Sequence, residues 1–426
     1  FSMSNPLIVH HYDCDGITSG SIVADAFRSK SKKYRQKWIK KLDDSVIDEL
    51  KSSKEKEIIF VDLGGGNKRV NELDDVLVID HHQTEGIDKL QINPLLFGVD
   101  GGEELSAAGT TSLVFDHRED LGIVGAVGDM QHPLKGANRF LLEKAVKKQL
   151  VNVEHDLCFY GRFSRPIIQF LMYSDDPYIP GLSYDEAQVI ALLNRLGIKM
   201  KNGDGDRDRW RTYSDLSKEE KMRLVSELAN MLLNQNQIKK AEDLIQESYL
   251  MANQPKDTEM YEANEFSTLL NACGRHGKAE IGVSVCLGDK GAYDKARELL
   301  SLHRRMIKDG IEYAKKNVQD FGKFYFLDAR GIIDEGIIGI ICGMYLHPAS
   351  TKPMIGISDG DEDTLKLSSR GTKKLIAEGL NLSAALHEVT EIVGGVGGGH
   401  RIAAGASFPK AKINEFLSEL GLRFLS

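Results

Sequence analysis

The sequence predicts an α/β protein: a parallel, helix-covered sheet domain, an inserted helical subdomain, and a second, smaller α/β domain. Apolar runs at residues 7–9, 58–61 and 76–79 alternate with helical patterns at about 17–27, 105–117 and 138–148, and that alternation is the signature of a parallel sheet. From about residue 155 the pattern changes to helices and polar loops, and from about 259 helix and strand signals alternate again. Boundaries are therefore expected at 3–150, 151–258 and 259–426. A chain of 426 residues exceeds the usual size of one hydrophobic core, which agrees with more than one domain.

Each apolar run of the first domain ends in polar residues, and open parallel sheets bind ligands beyond the carboxyl ends of their strands. In the insertion, Ser217 with Glu220 gives the capping-box signature of a helix start. Met222, Val225, Leu228, Ala229 and Leu232 follow with a helical apolar period, and a second short helix is expected over 238–250. Asp204, Asp206 and Asp208 superficially resemble a calcium loop, but Arg209 stands where glycine is needed and Asp215 where a bidentate glutamate is needed, so calcium is not expected there. In the distal domain, strands are expected at 324–327, 354–357 and 365–367, and helices near 293–316 and 335–345. A glycine-rich segment over 394–401 reads as a loop.

Composition narrows the function classes. A net charge of −8 argues against a protein that coats nucleic acid by bulk electrostatics. One local basic patch exists, with Arg28, Lys30, Lys32, Lys33, Arg35, Lys37, Lys40 and Lys41 interleaved with Tyr34 and Trp38; it suits either an edge strand kept soluble by lysine or a phosphate-backbone contact. The five cysteines are scattered without a Cys-x-x-Cys pair, which points to reduced thiols and away from structural zinc. The longest apolar-rich stretch, 337–346, is too short to span a bilayer, and the first residues carry no export signal, so a cytoplasmic protein is expected.

The chemistry is concentrated at the ends of the apolar runs. His11, Asp13 and Asp15 follow the first, Asp62 the second, and Asp80, His81 and His82 the third, while Asp129 closes the apolar segment 123–128. Alternation places His11, Asp13 and Asp15 on one side of an extended segment, with Cys14 buried opposite and Gly16 permitting a tight turn. A lone aspartate after a strand is usually a turn former or helix cap; the joint pattern carries the inference. If these segments are neighbours, His11, Asp13, Asp15, Asp62, His81 and Asp129 converge, too many for one open catalytic ion but enough for two ions sharing a carboxylate. Asp62, alone on its strand, is the candidate bridge. Such a pair acidifies a bridging water and neutralises phosphodiester oxygens, so metal-assisted phosphoryl hydrolysis is the natural chemistry. Carboxylate and imidazole ligands without thiolate favour two Mn²⁺ ions, with Mg²⁺ second. His82 is expected to diverge from His81 and touch the scissile phosphate or a metal-bound water, and Asp80 to orient a ligand imidazole through its other ring nitrogen.

In the distal domain, Gly397, Gly398, Gly399 and His400 open a segment whose backbone N–H groups suit an anion, with a tight packing turn as the competing reading. Arg370 adds a guanidinium suited to phosphate.

These motifs resemble the DHH phosphoesterase superfamily and its RecJ-like branch. The matching stretches are His11-Tyr-Asp-Cys-Asp-Gly16, Val61-Asp62, Asp80-His81-His82, Ser106-Ala-Ala-Gly109, Gly125-Ala-Val-Gly-Asp129, Ser369-Arg370-Gly371 and Gly397 to Gly405. Phe163-Ser-Arg-Pro166, residues 173–181 and Leu270-Asn-Ala-Cys-Gly-Arg275 are similar to archaeal RecJ-like proteins. The resemblance implies a DHH catalytic domain, a DHH-associated substrate-binding domain, and a Mn²⁺-dependent exonuclease on single-stranded DNA or RNA, with a place in DNA replication or repair. It implies His11, Asp13 and Asp62 for one ion and Asp15, Asp62, His81 and Asp129 for the other. His82, Arg370, Gly398, Gly399 and His400 would contact the strand. Relatives associated with the GINS complex of the replicative helicase make that complex a candidate partner. Two alternatives stay open: a phosphodiesterase on short oligoribonucleotides or cyclic dinucleotides, and a GINS-binding helicase cofactor with little nuclease activity.

Overall fold

A computed structural model describes residues 3–53, 55–174, 177–203, 209–346, 350–361 and 363–424. The acidic run at Asp204, Asp206 and Asp208, and the Asp175-Asp176 step of the 173–181 motif, lie outside the described residues. The chain forms two compact units, 1–300 and 301–426.

In the first unit, five parallel strands lie in the order β2-β1-β3-β4-β5: β1 (Leu7–His11), β2 (Arg35–Ile39), β3 (Glu57–Val61), β4 (Asp75–Ile79) and β5 (Leu90–Ile92). Alternation divides the apolar side chains between two faces. Val9, Phe60 and Val78 bury one face against Ile47 and Leu50 of the helix Asp44–Ser52. Ile8, Ile59, Val61, Leu77 and Ile79 bury the other against Val23, Ala24 and Phe27 of the helix Cys14–Ser29. His10 pairs with Val61 and Val61 with Ile79, so the ends of β1, β3 and β4 stand side by side. The basic patch supplies β2, an edge strand whose Arg35 and Lys37 are paired with Glu55 and Glu49. That is the edge-strand reading.

The apolar segment before Asp129 is the helix Glu119–Gly128, with Asp129 as its C-cap. The insertion leaves through β6 (Val151–Leu157), encloses the short hairpin β7 (Lys201–Asn202) and β8 (Arg209–Trp210), and returns through β9 (Ile245–Met251), antiparallel to β6. It has its own core, built on Ile167, Phe170, Leu193, Tyr213, Leu228 and Leu232. Ser217 and Glu220 form the expected capping box of the helix Lys218–Leu233. The second expected helix is only partly found. It ends at Glu242, and residues 245–251 are strand β9, because pairing with β6 buries Tyr249, Leu250 and Met251 in succession. Tertiary pairing overrides the local helical period here.

The helices Ala263–Arg275 and Ala279–Cys286 pack with the core of the first unit through Phe266, Leu270, Val283 and Cys286, and Ala292, Ala296 and Leu300 join them. Residues 259–300 thus group with the first unit, although the local alternation pattern attaches them to the distal domain.

The second unit holds a six-stranded mixed sheet in the order β10-β11-β12-β13-β15-β14: β10 (Gln319–Asp320), β11 (Tyr325–Asp328), β12 (Met354–Asp359), β13 (Thr364–Arg370), β14 (Val396–Gly399) and β15 (Ala403–Pro409). Only β11 and β12 run parallel. The glycine-rich segment is not a free loop: residues 396–399 form edge strand β14 against β15. Glycines weaken a strand signal, which is why the sequence pattern conceals it. Among the described residues no helix is long and apolar enough to cross a membrane.

Candidate metal centre

Strand β1 ends in His11, and the chain turns directly into the helix Cys14–Ser29 with Asp13 as its N-cap, accepting from Gly16 N at 3.1 Å. The segment is therefore a strand-to-helix turn rather than an extended run. A Cβ on Gly16 would lie 2.3 Å from the His11 carbonyl oxygen, so glycine lets the turn close. Asp15, in the first helical turn, is buried and accepts from Ala107 N at 2.8 Å and Ala108 N at 2.9 Å. The Ser106 to Gly109 motif thus places a helix N-terminus on this carboxylate.

Asp62 follows β3 with φ +62°, a left-handed conformation that aspartate adopts more readily than most residues. Its Oδ2 lies 3.4 Å from His11 Nδ1 and its Oδ1 3.3 Å from His81 Nε2. Asp13 Oδ2 is 2.9 Å from His11 Nδ1. On the far side, His81 Nε2 lies 3.7 Å from Asp15 Oδ2, and Asp129 Oδ2 is 3.8 Å from His81 Nδ1. Donor atoms of His11, Asp13 and Asp62 converge within 4.8 Å, as do those of Asp15, His81 and Asp129 and those of Asp62, His81 and His82. All six expected ligand residues are thus brought to one place, with Asp62 between the two imidazoles.

The donor set fits cations. His11 Nδ1, Asp62 Oδ1 and His81 Nε2 are buried and make no hydrogen bond among the described residues. Buried polar atoms are normally satisfied; these instead stand within ion-pair reach of opposite groups, His11 Nδ1 at 2.9 Å from Asp13 Oδ2 and His81 Nε2 at 3.3 Å from Asp62 Oδ1, an arrangement that a shared electrophile would satisfy. Charge says the same. Burial pulls the His11 imidazole down, but Asp13 and Asp62 outweigh it and push it up to about 11; burial likewise opposes Asp62, Asp15 and Asp129 at His81, which is also pushed up to about 11. Burial acts to raise Asp62, yet the two imidazoles hold it far below the usual carboxylate range. Burial and neighbouring Asp62 raise Asp15, and burial lifts Asp129 to about 6 against the pull of His81. Without a cation, protons on the imidazoles balance the crowded carboxylates.

Asp80 differs from expectation. Its Oδ1 takes His82 Nδ1 at 2.9 Å and its Oδ2 takes Gly65 N at 2.9 Å, so it orients His82 rather than His11 or His81. The hydrogen bond to Asp80 raises His82 above its usual value. The Nδ1 of His81 instead meets the Gly101 carbonyl at 2.6 Å, because adjacent residues leaving β4 present their rings edge to edge, 4.3 Å apart, and only His82 faces Asp80. The His82 side chain is 59% exposed, which leaves Nε2 open to a ligand.

Four further residues support the arrangement, Gln131 and Asn138 without any sequence signal and Asn271 and Gly274 from the 270–275 motif. Gln131 Nε2 bridges Asp129 Oδ2 and the Gly101 carbonyl, and Asn138 holds Gln131. Asn271 Oδ1 accepts from Cys14 N at 3.0 Å, and a Cβ on Gly274 would lie 1.8 Å from the Tyr12 carbonyl oxygen. The 270–275 motif therefore packs on the 12–14 turn.

In the second unit, Arg370 pairs across β15 with Ala403, and His400 N donates to the Ala403 carbonyl at 2.8 Å. Arg370 and His400 thus flank the same residue at one end of three strands. A Cβ on Gly397 would lie 2.6 Å from the Leu386 carbonyl oxygen, and Gly399 has φ +133°; Gly398 has nothing within 4 Å of that position. Packing explains Gly397 and Gly399, while Gly398 leaves open backbone.

Comparisons with known proteins agree with this architecture. Residues 5–127 match the DHH family, N-terminal domain; residues 159–245 match the DHH-CID domain; residues 322–424 match the DHHA1 domain. An uncharacterized protein of Methanocaldococcus jannaschii is 29% identical over 432 residues, covering 97% of this chain and 91% of its own length. CDC45 from Entamoeba histolytica superposes with a TM-score of 0.64 at 13% identity, over 99% of this chain and 96% of that one. RecJ of Thermus thermophilus in complex with Mn²⁺ superposes with a TM-score of 0.60 at 17% identity, over 99% of this chain and 52% of that one. The chain thus spans about half the length of that RecJ.

Proposed function

The chain belongs to the DHH superfamily and has a RecJ-like fold, and from that premise we propose that it is a metal-dependent exonuclease that hydrolyses terminal phosphodiester bonds of single-stranded DNA or RNA. The observation that carries the proposal is Asp62, buried between His11 and His81 with one carboxylate oxygen toward each.

His11, Asp13 and Asp62 would hold one cation and Asp15, Asp62, His81 and Asp129 the other, Mn²⁺ before Mg²⁺ by ligand type. Such a pair supplies acidification of water and neutralisation of phosphoryl oxygens. The protein groups do the positioning. Two helix N–H donors fix Asp15. Asp80 holds His82 Nδ1 and raises that imidazole, so that in its protonated form Nε2 would donate its proton to a phosphate oxygen or leaving oxygen. In the distal domain Arg370, His400 and the open backbone at Gly398, with Gly399 beside it, would grip phosphates of the strand. In this reading residues 3–150 with the packed segment 259–300 carry catalysis, 151–258 a partner-facing insertion and 301–426 substrate binding, in a cytoplasmic enzyme of DNA replication or repair.

A substrate-length series tests it: labelled single strands of about 20 nucleotides against dinucleotides and cyclic dinucleotides, with Mn²⁺ or Mg²⁺. Preference for the long strands with stepwise shortening is expected; exclusive cleavage of dinucleotides would favour the short-substrate phosphodiesterase. The independent core of the insertion supports a second role as a docking module, with the GINS complex as candidate partner. Retained GINS binding in an inactive Asp62→Asn variant would separate that role from hydrolysis.

A further inference from the structure

We infer that Gln131 positions two metal ligands at once, His81 and Asp129, through a single amide, and so sets the geometry of the second cation position. The inference deepens the proposed two-cation reading and rests on it. Gln131 is 3% exposed. Its Nε2 donates to Asp129 Oδ2 at 2.8 Å and to the Gly101 carbonyl at 2.7 Å, and its Oε1 accepts from Asn138 Nδ2 at 2.6 Å. Two acceptors on one side and a donor on the other fix which way the amide faces. Asn138 is fully buried, and the Cβ that Gly109 lacks would lie 2.8 Å from its Oδ1, so glycine at 109 makes room for the support.

The Gly101 carbonyl is the second half of the device. It faces His81 Nδ1 at 2.6 Å. A carbonyl only accepts, so His81 carries hydrogen on Nδ1 and turns Nε2 toward Asp62 Oδ1 at 3.3 Å and Asp15 Oδ2 at 3.7 Å. By holding that carbonyl, Gln131 fixes the ring that presents Nε2; by holding one oxygen of Asp129, it aims the other. A Cβ on Gly101 would lie 2.1 Å from the His81 carbonyl oxygen, so no other residue lets this loop approach the histidine so closely. A carboxylate in place of the amide would set oxygen against both the Gly101 carbonyl and Asp129 and turn them apart.

Mn²⁺ titration of the full chain, with free ion read by electron paramagnetic resonance and heats by calorimetry, tests the inference on wild type, Gln131→Glu and Gln131→Met, beside thermal melts without metal. Wild type is expected to bind two ions. Gln131→Glu is expected to weaken one of them about 10- to 100-fold, leaving the ion at His11, Asp13 and Asp62 near its wild-type affinity. Gln131→Met keeps the length without the donors and decides the matter if Gln131→Glu gives no cooperative melt. Wild-type affinity at both positions in the folded variants overturns the inference, as does equal weakening of both ions or loss of folding in both variants. Absence of Mn²⁺ binding by wild type would instead overturn the two-cation reading itself.

Discussion

Asp62 presents one carboxylate oxygen to each of two imidazoles, Oδ2 at 3.4 Å from His11 and Oδ1 at 3.3 Å from His81, from a backbone with φ +62°. Asparagine tolerates that backbone; alanine costs about 1 kcal/mol more there. Asp62→Asn is therefore expected to be the more stable variant in urea denaturation of metal-free protein, while both variants lose hydrolysis by more than about 100-fold. Equal stability of the two would contradict the backbone argument.

Metal binding should release protons. His11 and His81 sit at about 11 in the metal-free site, so both are protonated near neutrality, and a protonated nitrogen cannot ligate. Affinity for Mn²⁺ is expected to rise with pH from about 6 to 9, by about tenfold per unit for each proton displaced. Calorimetry in buffers of different ionisation enthalpy reads the release directly. Binding heats independent of buffer would contradict it.

Glycines divide into structural and open positions. Gly16→Ala and Gly274→Ala would drive a Cβ to 2.3 Å and 1.8 Å from carbonyl oxygens of the 11–12 turn, and each is expected to cost at least about 1–3 kcal/mol by overpacking. Gly398→Ala meets nothing within 4 Å, so its stability should stay within about 0.5 kcal/mol of wild type while strand binding weakens. Denaturation curves and a strand-binding titration distinguish the cases.

His82, oriented by Asp80 and 59% exposed, is expected to act on the phosphate rather than the cations. His82→Ala should lower kcat by about 100-fold or more with Mn²⁺ affinity unchanged. A variant that loses Mn²⁺ affinity in step with activity would make His82 a ligand.

The proposed ligands are legible in sequence because they follow local apolar runs, and runs such as 58–61 and 76–79 are strands by their own composition. Legibility fails where a residue acts across the fold. Asn271 reaches Cys14 from 257 positions away, and Gln131 reaches Gly101 from 30; neither contact leaves a periodic trace. Alternation says that His81 and His82 diverge, but not which of them the Asp80 carboxylate meets, so the sequence does not identify His82 as the ring that Asp80 orients. Strands β9 and β14 stay hidden, one behind a helical apolar spacing and the other behind glycines, since pairing with a partner strand makes both.

The two-cation mechanism is tested most directly by hydrolysis of 5′- and 3′-labelled single-stranded DNA and RNA by wild type and Asp62→Asn at matched Mn²⁺. Metal-dependent stepwise shortening by wild type and a loss of more than about 100-fold in the variant are expected. Undiminished Mn²⁺-dependent hydrolysis by Asp62→Asn would contradict the mechanism.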